Sequence, residues 1–136
     1  MSTFASIDEA RAYFEGDRFA MESGITLDAL GESSATCSMP ITERHRNANG
    51  GVMGGAIFTL ADFAGAVAGN NIHRPTVAQQ VSCSFLSATR GSRLIATARC
   101  RRNGRATCVF NIDVADDLGR DIAQFVMTSY KIPNEK

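Results

Sequence analysis

The sequence predicts an α+β fold in which an antiparallel sheet of about six strands wraps around one long central helix, with a short helix at the N-terminal side. Three observations carry that expectation. Residues 51–69 are the most apolar stretch of the chain and hold a single charge, Asp62. On either side of that stretch apolar residues recur at every second position, the pattern of strands with one buried face. The length, 136 residues, suits one domain with a real core, so a single domain spanning 1–136 is expected.

The elements follow in order. Ser6-Ile7-Asp8-Glu9 is a capping-box pattern, Ser at the cap and Glu three residues on. Ile7, Ala10, Arg11 and Phe14 then continue at helical spacing, so a short helix is expected to end near Gly16. From Ile25 the period becomes two: Ile25, Leu27 and Ala29, then Ala35, Cys37, Met39 and Ile41 beyond a turn at Gly31-Glu32. That reads as a pair of strands. Residues 43–51 form a polar loop with Arg44, His45, Arg46, Asn47 and Asn49, and the apolar helix is expected over 52–68.

Four alternating runs complete the chain. Val81, Cys83 and Phe85 form the first, and Leu94, Ala96, Ala98 and Cys100 the second. Ala106, Cys108, Phe110, Ile112 and Val114 form the third, and 121–131 the last. Asn103-Gly104 is a strong hairpin signal between the second and third, and Asp116-Asp117-Leu118-Gly119 makes the next turn.

The long helix has two unlike faces on a helical projection. Gly54, Gly55, Phe58, Thr59, Asp62, Gly65, Ala66 and Gly69 fall on one side, and Ile57, Leu60, Ala61, Ala64, Val67 and Ala68 on the other. The second set is expected to fill the cup of the sheet. The first is thin enough for close approach of a ligand or a neighbouring subunit. Asp62 lies on it, the sole carboxylate between Glu43 and Asp113. A carboxylate withdrawn from water is expensive unless paired or protonated, which makes Asp62 a first candidate for acid, base or nucleophile chemistry. Gly54 and Gly55 stand at the helix start, where first-turn N–H groups lack helical partners and could polarise a carbonyl. Asp62 is roughly 10–12 Å further along by helical rise, so a carbonyl bound at that start would need Asp62 to reach it through its side chain, a water or a neighbouring subunit.

Charge and cysteine usage narrow the classes. Residues 1–43 carry a net charge of −6, 44–110 of +8 and 111–136 of −2, for a total of zero. An Arg block suits phosphate. No aromatic residues interleave Arg90, Arg93, Arg101, Arg102 and Arg105, so a compact phosphorylated ligand is expected and nucleic acid is not. Cys37, Cys83, Cys100 and Cys108 form no CxxC pair, and the histidines are two, His45 and His73, so neither disulfides nor a metal site is expected. No apolar leader is evident near the start, and the five glycines and central Asp of 51–69 suit a buried helix better than a membrane span, so a cytoplasmic protein is expected. GxSxG, P-loop and GxGxxG motifs are absent.

The run Asn47-Ala48-Asn49-Gly50-Gly51-Val52-Met53-Gly54-Gly55, followed by Leu60-Ala61-Asp62, resembles the hotdog-fold acyl-CoA thioesterases. Within the 4-hydroxybenzoyl-CoA thioesterase-like superfamily it is most similar to the phenylacetate-degradation subgroup, whose pattern is Asn-x-x-Gly-x-x-His-Gly-Gly and then Leu-Ala-Asp. The resemblance implies a hotdog fold, acyl-CoA as substrate and no cofactor beyond the coenzyme A that the substrate carries. It implies Asp62 as catalytic base or nucleophile, Asn47 orienting water or thioester, and Gly54 with Gly55 as backbone donors. It further implies a homodimer or dimer of dimers, with the active site at the subunit interface. Met53, Phe58 and His45 are then expected beside the acyl group, and Arg90 and Arg93 at the coenzyme A phosphates. Met53 departs from the pattern: it replaces the family's His and neither donates a hydrogen bond nor takes a proton. A non-catalytic acyl-CoA binding or sensing protein is therefore the second reading.

Overall fold

The computed structural model describes residues 2–134; Met1, Glu135 and Lys136, included in the expected domain, lie outside the described residues. Two short helices, α1 (Ile7–Phe14) and α2 (Arg18–Glu22), precede β1 (Thr26–Gly31) and β2 (Ser34–Pro40). A 3-10 turn at Glu43–His45 leads to α3 (Gly54–Ile72), then β3 (Thr76–Phe85), β4 (Arg93–Asn103), β5 (Thr107–Asp116) and β6 (Asp121–Lys131). The strands form one six-stranded antiparallel sheet in the order β1-β2-β4-β5-β6-β3. This is the expected class and the expected sheet around one long helix.

Small residues set the distance between helix and sheet. Ala61, Ala64 and Ala68 of α3 are buried, as are Ala96 and Ala98 of β4, with Leu60, Met39, Leu94, Phe110, Ile112 and Met127 filling the space between. Gly65 is the tightest point: a Cβ there would lie 2.8 Å from Met127 Cε and 3.0 Å from Ile112 Cδ1. Gly65 and Gly69 therefore face β5, β6 and the start of β3, which corrects their expected place beside Asp62. The open stripe of α3 consists of Gly55, Phe58, Thr59, Asp62 and Ala66.

Two of the local patterns differ in detail. Ser6 Oγ accepts from Glu9 N–H at 3.1 Å as the capping pattern requires, but the Glu9 carboxylate turns to Ala5 N–H at 3.3 Å. In β1 the register slips between Leu27 and Ala29, so Ala29 is exposed and Leu30 turns partly inward, ending the simple alternation. The helix α2 was not expected; five residues without a side-chain cap leave too short a pattern to read.

The central helix runs four residues past its expected end, and buried asparagines explain why. Asn70 Nδ2 donates to Ala66 O (2.8 Å) and Thr76 O (3.1 Å), while its Oδ1 accepts from Thr76 N–H at 3.0 Å. Asn71 Nδ2 donates to Gly31 O at 2.9 Å and its Oδ1 accepts from Phe4 N–H at 3.1 Å. Residues that usually break helices are here satisfied by the strand that follows and by the N-terminal segment. Phe4, Phe14 and Phe63 stack in a chain at 5.4–5.9 Å, and the Arg74 guanidinium lies 4.2 Å over the Phe4 ring and donates to Thr3 O at 2.7 Å. Together these contacts seat α1 across α3.

Asn70 ties the end of α3 to the first residue of β3. Replacing it with alanine strands the buried N–H and C=O of Thr76, so Asn70→Ala is expected to cost about 1–3 kcal/mol, read as a lower urea midpoint at unchanged m value.

Candidate functional site

The loop that enters α3 is held from below by a histidine. His45 is buried, its Nδ1 accepts from Thr42 N–H at 3.0 Å, and its Nε2–H donates to Ser23 O at 2.8 Å. Both ring nitrogens are thus used, so His45, expected beside the acyl group, is a buried strut joining the loop to the end of α2. Its own carbonyl accepts from Met53 N–H at 2.8 Å, which fixes where α3 begins.

Asn47 shapes the exposed tip of the same loop. Its Oδ1 accepts from the N–H groups of Asn49 (2.9 Å) and Gly51 (3.2 Å), its N–H donates to Gly51 O at 2.8 Å, and Gly50 closes the turn at φ +85°. With Oδ1 committed, the Nδ2 group is left without a hydrogen-bond partner among the described residues. Met53 is the N-cap of α3 and supplies no side-chain cap, so the first turn, Gly54 and Gly55, is left without one.

The two glycines face different depressions. Gly54 lines a cavity of about 440 Å³ with Asn47, Val52, Ile57 and the segment Phe85, Leu86, Ser87, Ala88 and Thr89. A Cβ on Gly54 would sit 3.1 Å from Phe85 Cζ, so glycine keeps this passage open. Gly55 lines a smaller cavity of about 290 Å³ with Met53, Thr59, His45, Phe19 and Arg44. Met53 is 51% exposed there, and Phe58, 39% exposed, stands edge-on to Phe125 at 5.6 Å beside Gly54 and Phe85.

Asp62 lines neither cavity. It sits half-buried on the open stripe of α3, and no hydrogen bond or ion pair reaches its carboxylate among the described residues. Burial first, and the Asp17 charge second, push its carboxyl above the ordinary aspartate value. Within one chain the structure therefore brings Asn47 and Gly54 together, with Gly55 next door, and leaves Asp62 about 12 Å along the helix from Gly54.

The arginines separate as well. Arg90 is exposed on the loop after Thr89, held by its backbone N–H, with its guanidinium free of partners among the described residues. Arg93 lies on the outer side of the sheet and donates to Ser38 Oγ at 2.9 Å, away from the cavity lining. One group escaped the sequence reading altogether. Asp116 is buried, and its carboxylate accepts from Thr89 Oγ1 and from the N–H groups of Arg90, Gly91, Leu118 and Arg120, all at 3.0–3.1 Å. The Arg90 N–H leads these donors in holding the Asp116 carboxyl well below the usual range. Nothing in a turn sequence announces donors 26 residues away. Among the described residues no group of three or more His, Cys, Asp or Glu is placed to hold a metal ion, and no helix is long and apolar enough to cross a membrane.

Comparison with known proteins bears on the family and the fold. Residues 49–123 match the thioesterase superfamily. The acyl-coenzyme A thioesterase PaaI of Escherichia coli is 32% identical over 90% of this chain and 89% of its own length. The solved structure of the E. coli PaaI protein superimposes with a TM-score of 0.87 at 31% identity, covering 92% of this chain and 91% of that one. A mutant of the thioesterase PA1618 from Pseudomonas aeruginosa gives 0.88 at 25% identity, over 98% and 99% of the two chains. A Streptococcus pneumoniae protein solved with coenzyme A shares the fold, with a TM-score of 0.83 at 21% identity over 92% and 98%.

The state of Asp62 gives a stability test with a definite sign. A carboxyl raised above its unfolded value near 4 contributes its full stability below that value and loses it as pH rises through the folded pKa. Asp62→Asn is therefore expected to melt above the wild type at pH 8, with the gap narrowing toward pH 4. A gap that is absent or widens on acidification would show that Asp62 is an ordinary solvated carboxylate.

Proposed function

The chain belongs to the thioesterase superfamily, and from that premise we propose that it hydrolyses an acyl- or aryl-CoA thioester to the free acid and coenzyme A. The observation that carries this reading is the cavity in which the Asn47 amide and the uncapped first turn of α3 at Gly54 face the same space. A thioester oxygen seated there receives the Gly54 N–H, with Gly55 beside it, as negative charge grows on it. Asn47 Nδ2 orients the thioester or the incoming water. Asp62 takes the proton of that water as its oxygen bonds the carbonyl carbon; the C–S bond then breaks and coenzyme A leaves as the thiol with the proton. In the covalent version Asp62 itself bonds the carbonyl carbon and the C–S bond breaks, releasing the coenzyme A thiolate; water then cleaves the anhydride to the free acid, restores the Asp62 carboxylate and supplies the proton that the thiolate takes.

A second copy of the chain supplies the missing proximity. Asp62 of one subunit meets Asn47 and Gly54 of another, in a homodimer or a dimer of dimers. The edge strand β3 supports this assembly. Its ten residues, TVAQQVSCSF, contain no charge and no proline, and Phe85 at its end is 55% exposed. Edge strands that stay unpaired in solution are usually guarded by charge, proline or a short length, and β3 has none of these. We read the chain as one such domain acting in the cytoplasm on acyl-CoA, with coenzyme A present as part of the substrate.

Met53 favours a second reading. Where its relatives' pattern has His, a half-exposed thioether neither donates nor accepts usefully, which suits an acyl-CoA binder or sensor without turnover.

Free-thiol release from short, medium, long and aromatic acyl-CoAs decides between the two. The wild type is expected to turn over at least one of them, with Asp62→Asn slower by about a hundredfold or more at intact fold and assembly. Absence of turnover on all of them, with acyl-CoA still bound, would move the protein to the binding class. Subunit mixing tests the shared site. Asp62→Asn and Asn47→Ala proteins, each inactive alone, are expected to recover about a quarter of wild-type activity after dissociation and reassociation, since half the dimers then hold one intact site. No recovery would place both residues of each site on one chain.

A further inference from the structure

Building on the thioesterase reading, we infer that Asp116 is a positioning residue for coenzyme A: its carboxylate sets the backbone of residues 89–91 so that Arg90 meets the phosphates of the nucleotide end.

The segment after β3 is one wall of the cavity that holds Asn47 and Gly54. Leu86 N–H still bonds Ile122 O at 2.8 Å, but between Thr89 and the start of β4 at Arg93 the one backbone bond to a neighbouring segment is Ile41 N–H to Ser92 O at 2.8 Å, and it leaves the N–H groups of residues 90–92 without backbone acceptors. Two carboxylates from the β5–β6 turn take over. Asp116 Oδ2 accepts from Thr89 Oγ1 (3.0 Å), Arg90 N–H (3.0 Å) and Gly91 N–H (3.1 Å), and Asp117 Oδ1 from Ser92 N–H (2.9 Å) and Arg93 N–H (3.3 Å). Four consecutive backbone donors are thus captured by side chains remote in sequence. Gly91 is required for it, because a Cβ there would overlap the Asp117 carboxylate. The other Asp116 oxygen holds Leu118 N–H and Arg120 N–H at 3.0 Å, so the clamp is rigid from both sides.

This clamp fixes the backbone of a charged residue, Arg90, next to the cavity wall that ends at Thr89. The Arg90 backbone is bound while its guanidinium is exposed beside Thr89, a residue that both lines the cavity and donates to Asp116. Guanidinium suits a phosphate bidentately. A wall ordered in advance spares the ligand the entropy of ordering it, so losing the clamp weakens the part of the ligand that touches the wall. The carboxylates do not repel the phosphates strongly, since their charge is spent on convergent N–H donors. Chemistry at Asp62 is untouched.

Titration calorimetry of the full chain with coenzyme A and with pantetheine tests the assignment. An asparagine amide presents N–H toward one of the two donor sets and only an uncharged oxygen toward the other, so Asp116→Asn weakens the clamp whichever way the amide is turned. Asp116→Asn and Arg90→Ala are each expected to weaken coenzyme A about tenfold or more while pantetheine stays within about twofold. Hydrogen exchange at 89–91 is expected to quicken in Asp116→Asn only, and in turnover KM is expected to rise at nearly constant kcat. Equal weakening of both ligands, or of neither, would overturn the positioning role. If Asp116→Asn fails to fold, Thr89→Val removes one donor alone, and the same bias toward coenzyme A, in smaller degree, is the result required. A wild type that binds neither ligand and releases no thiol overturns the thioesterase reading itself, a result separate from these.

Discussion

How closely α3 lies against its sheet decides most of what this molecule is. Alanines on the helix and on β4, with Gly65 under Met127 and Ile112, let the two backbones approach until nearly every apolar side chain between them is out of water. Larger residues would lift the helix, and overpacking at such points is costly. The same closeness confines the helix to one orientation, with Gly55, Thr59, Asp62 and Ala66 turned away from the sheet. A carboxylate fixed on a rigid, half-covered face has few ways to find a partner within its own chain. Its strained protonation is a consequence of how the helix packs.

Elements with a strong period were legible from the residues. β4, β5 and β6 follow the alternation of Leu94, Ala96 and Ala98, of Cys108, Phe110 and Ile112, and of the final run. The start of α1 followed from Ser6 and Glu9. The start of α3, two residues later than expected, is set by Met53 N–H on His45 O, a contact no pattern reports. Its end lies four residues past the expected 68, because the partners of Asn70 and Asn71, Thr76, Gly31 and Phe4, lie in distant segments that the sequence does not display. The bulge in β1 and the five-residue α2 leave no signature in a window of this size.

The site was legible in chemistry and less so in placement. Asp62 stood out because it alone is charged in an apolar run, and Gly54 because a glycine pair opens a helix. His45 was misplaced, since a polar loop of 43–51 gives no hint that Ser23 O and Thr42 N–H wait for its ring. Asp116 was missed for the same reason. Buried polar groups need partners, and those partners come from whichever distant segments the fold delivers. A sequence displays the group and hides its neighbours.

The distance between Asp62 and the start of α3 then has an evolutionary edge. A helix cannot be compressed, so with Asp62 eight positions after Gly54 the spacing is set by backbone geometry rather than by any adjustable contact. In the proposed reaction the set of groups is therefore completed by borrowing across an interface. The surface that would be borrowed across is the thin stripe around Asp62 together with the uncharged edge of β3, and enlarging any residue there disturbs packing and chemistry at once. On the proposed reading, small residues on that stripe answer both to the partner's backbone and to the substrate, while Met53 and the stripe's own Phe58, both partly exposed, are the larger side chains left to face the acyl group.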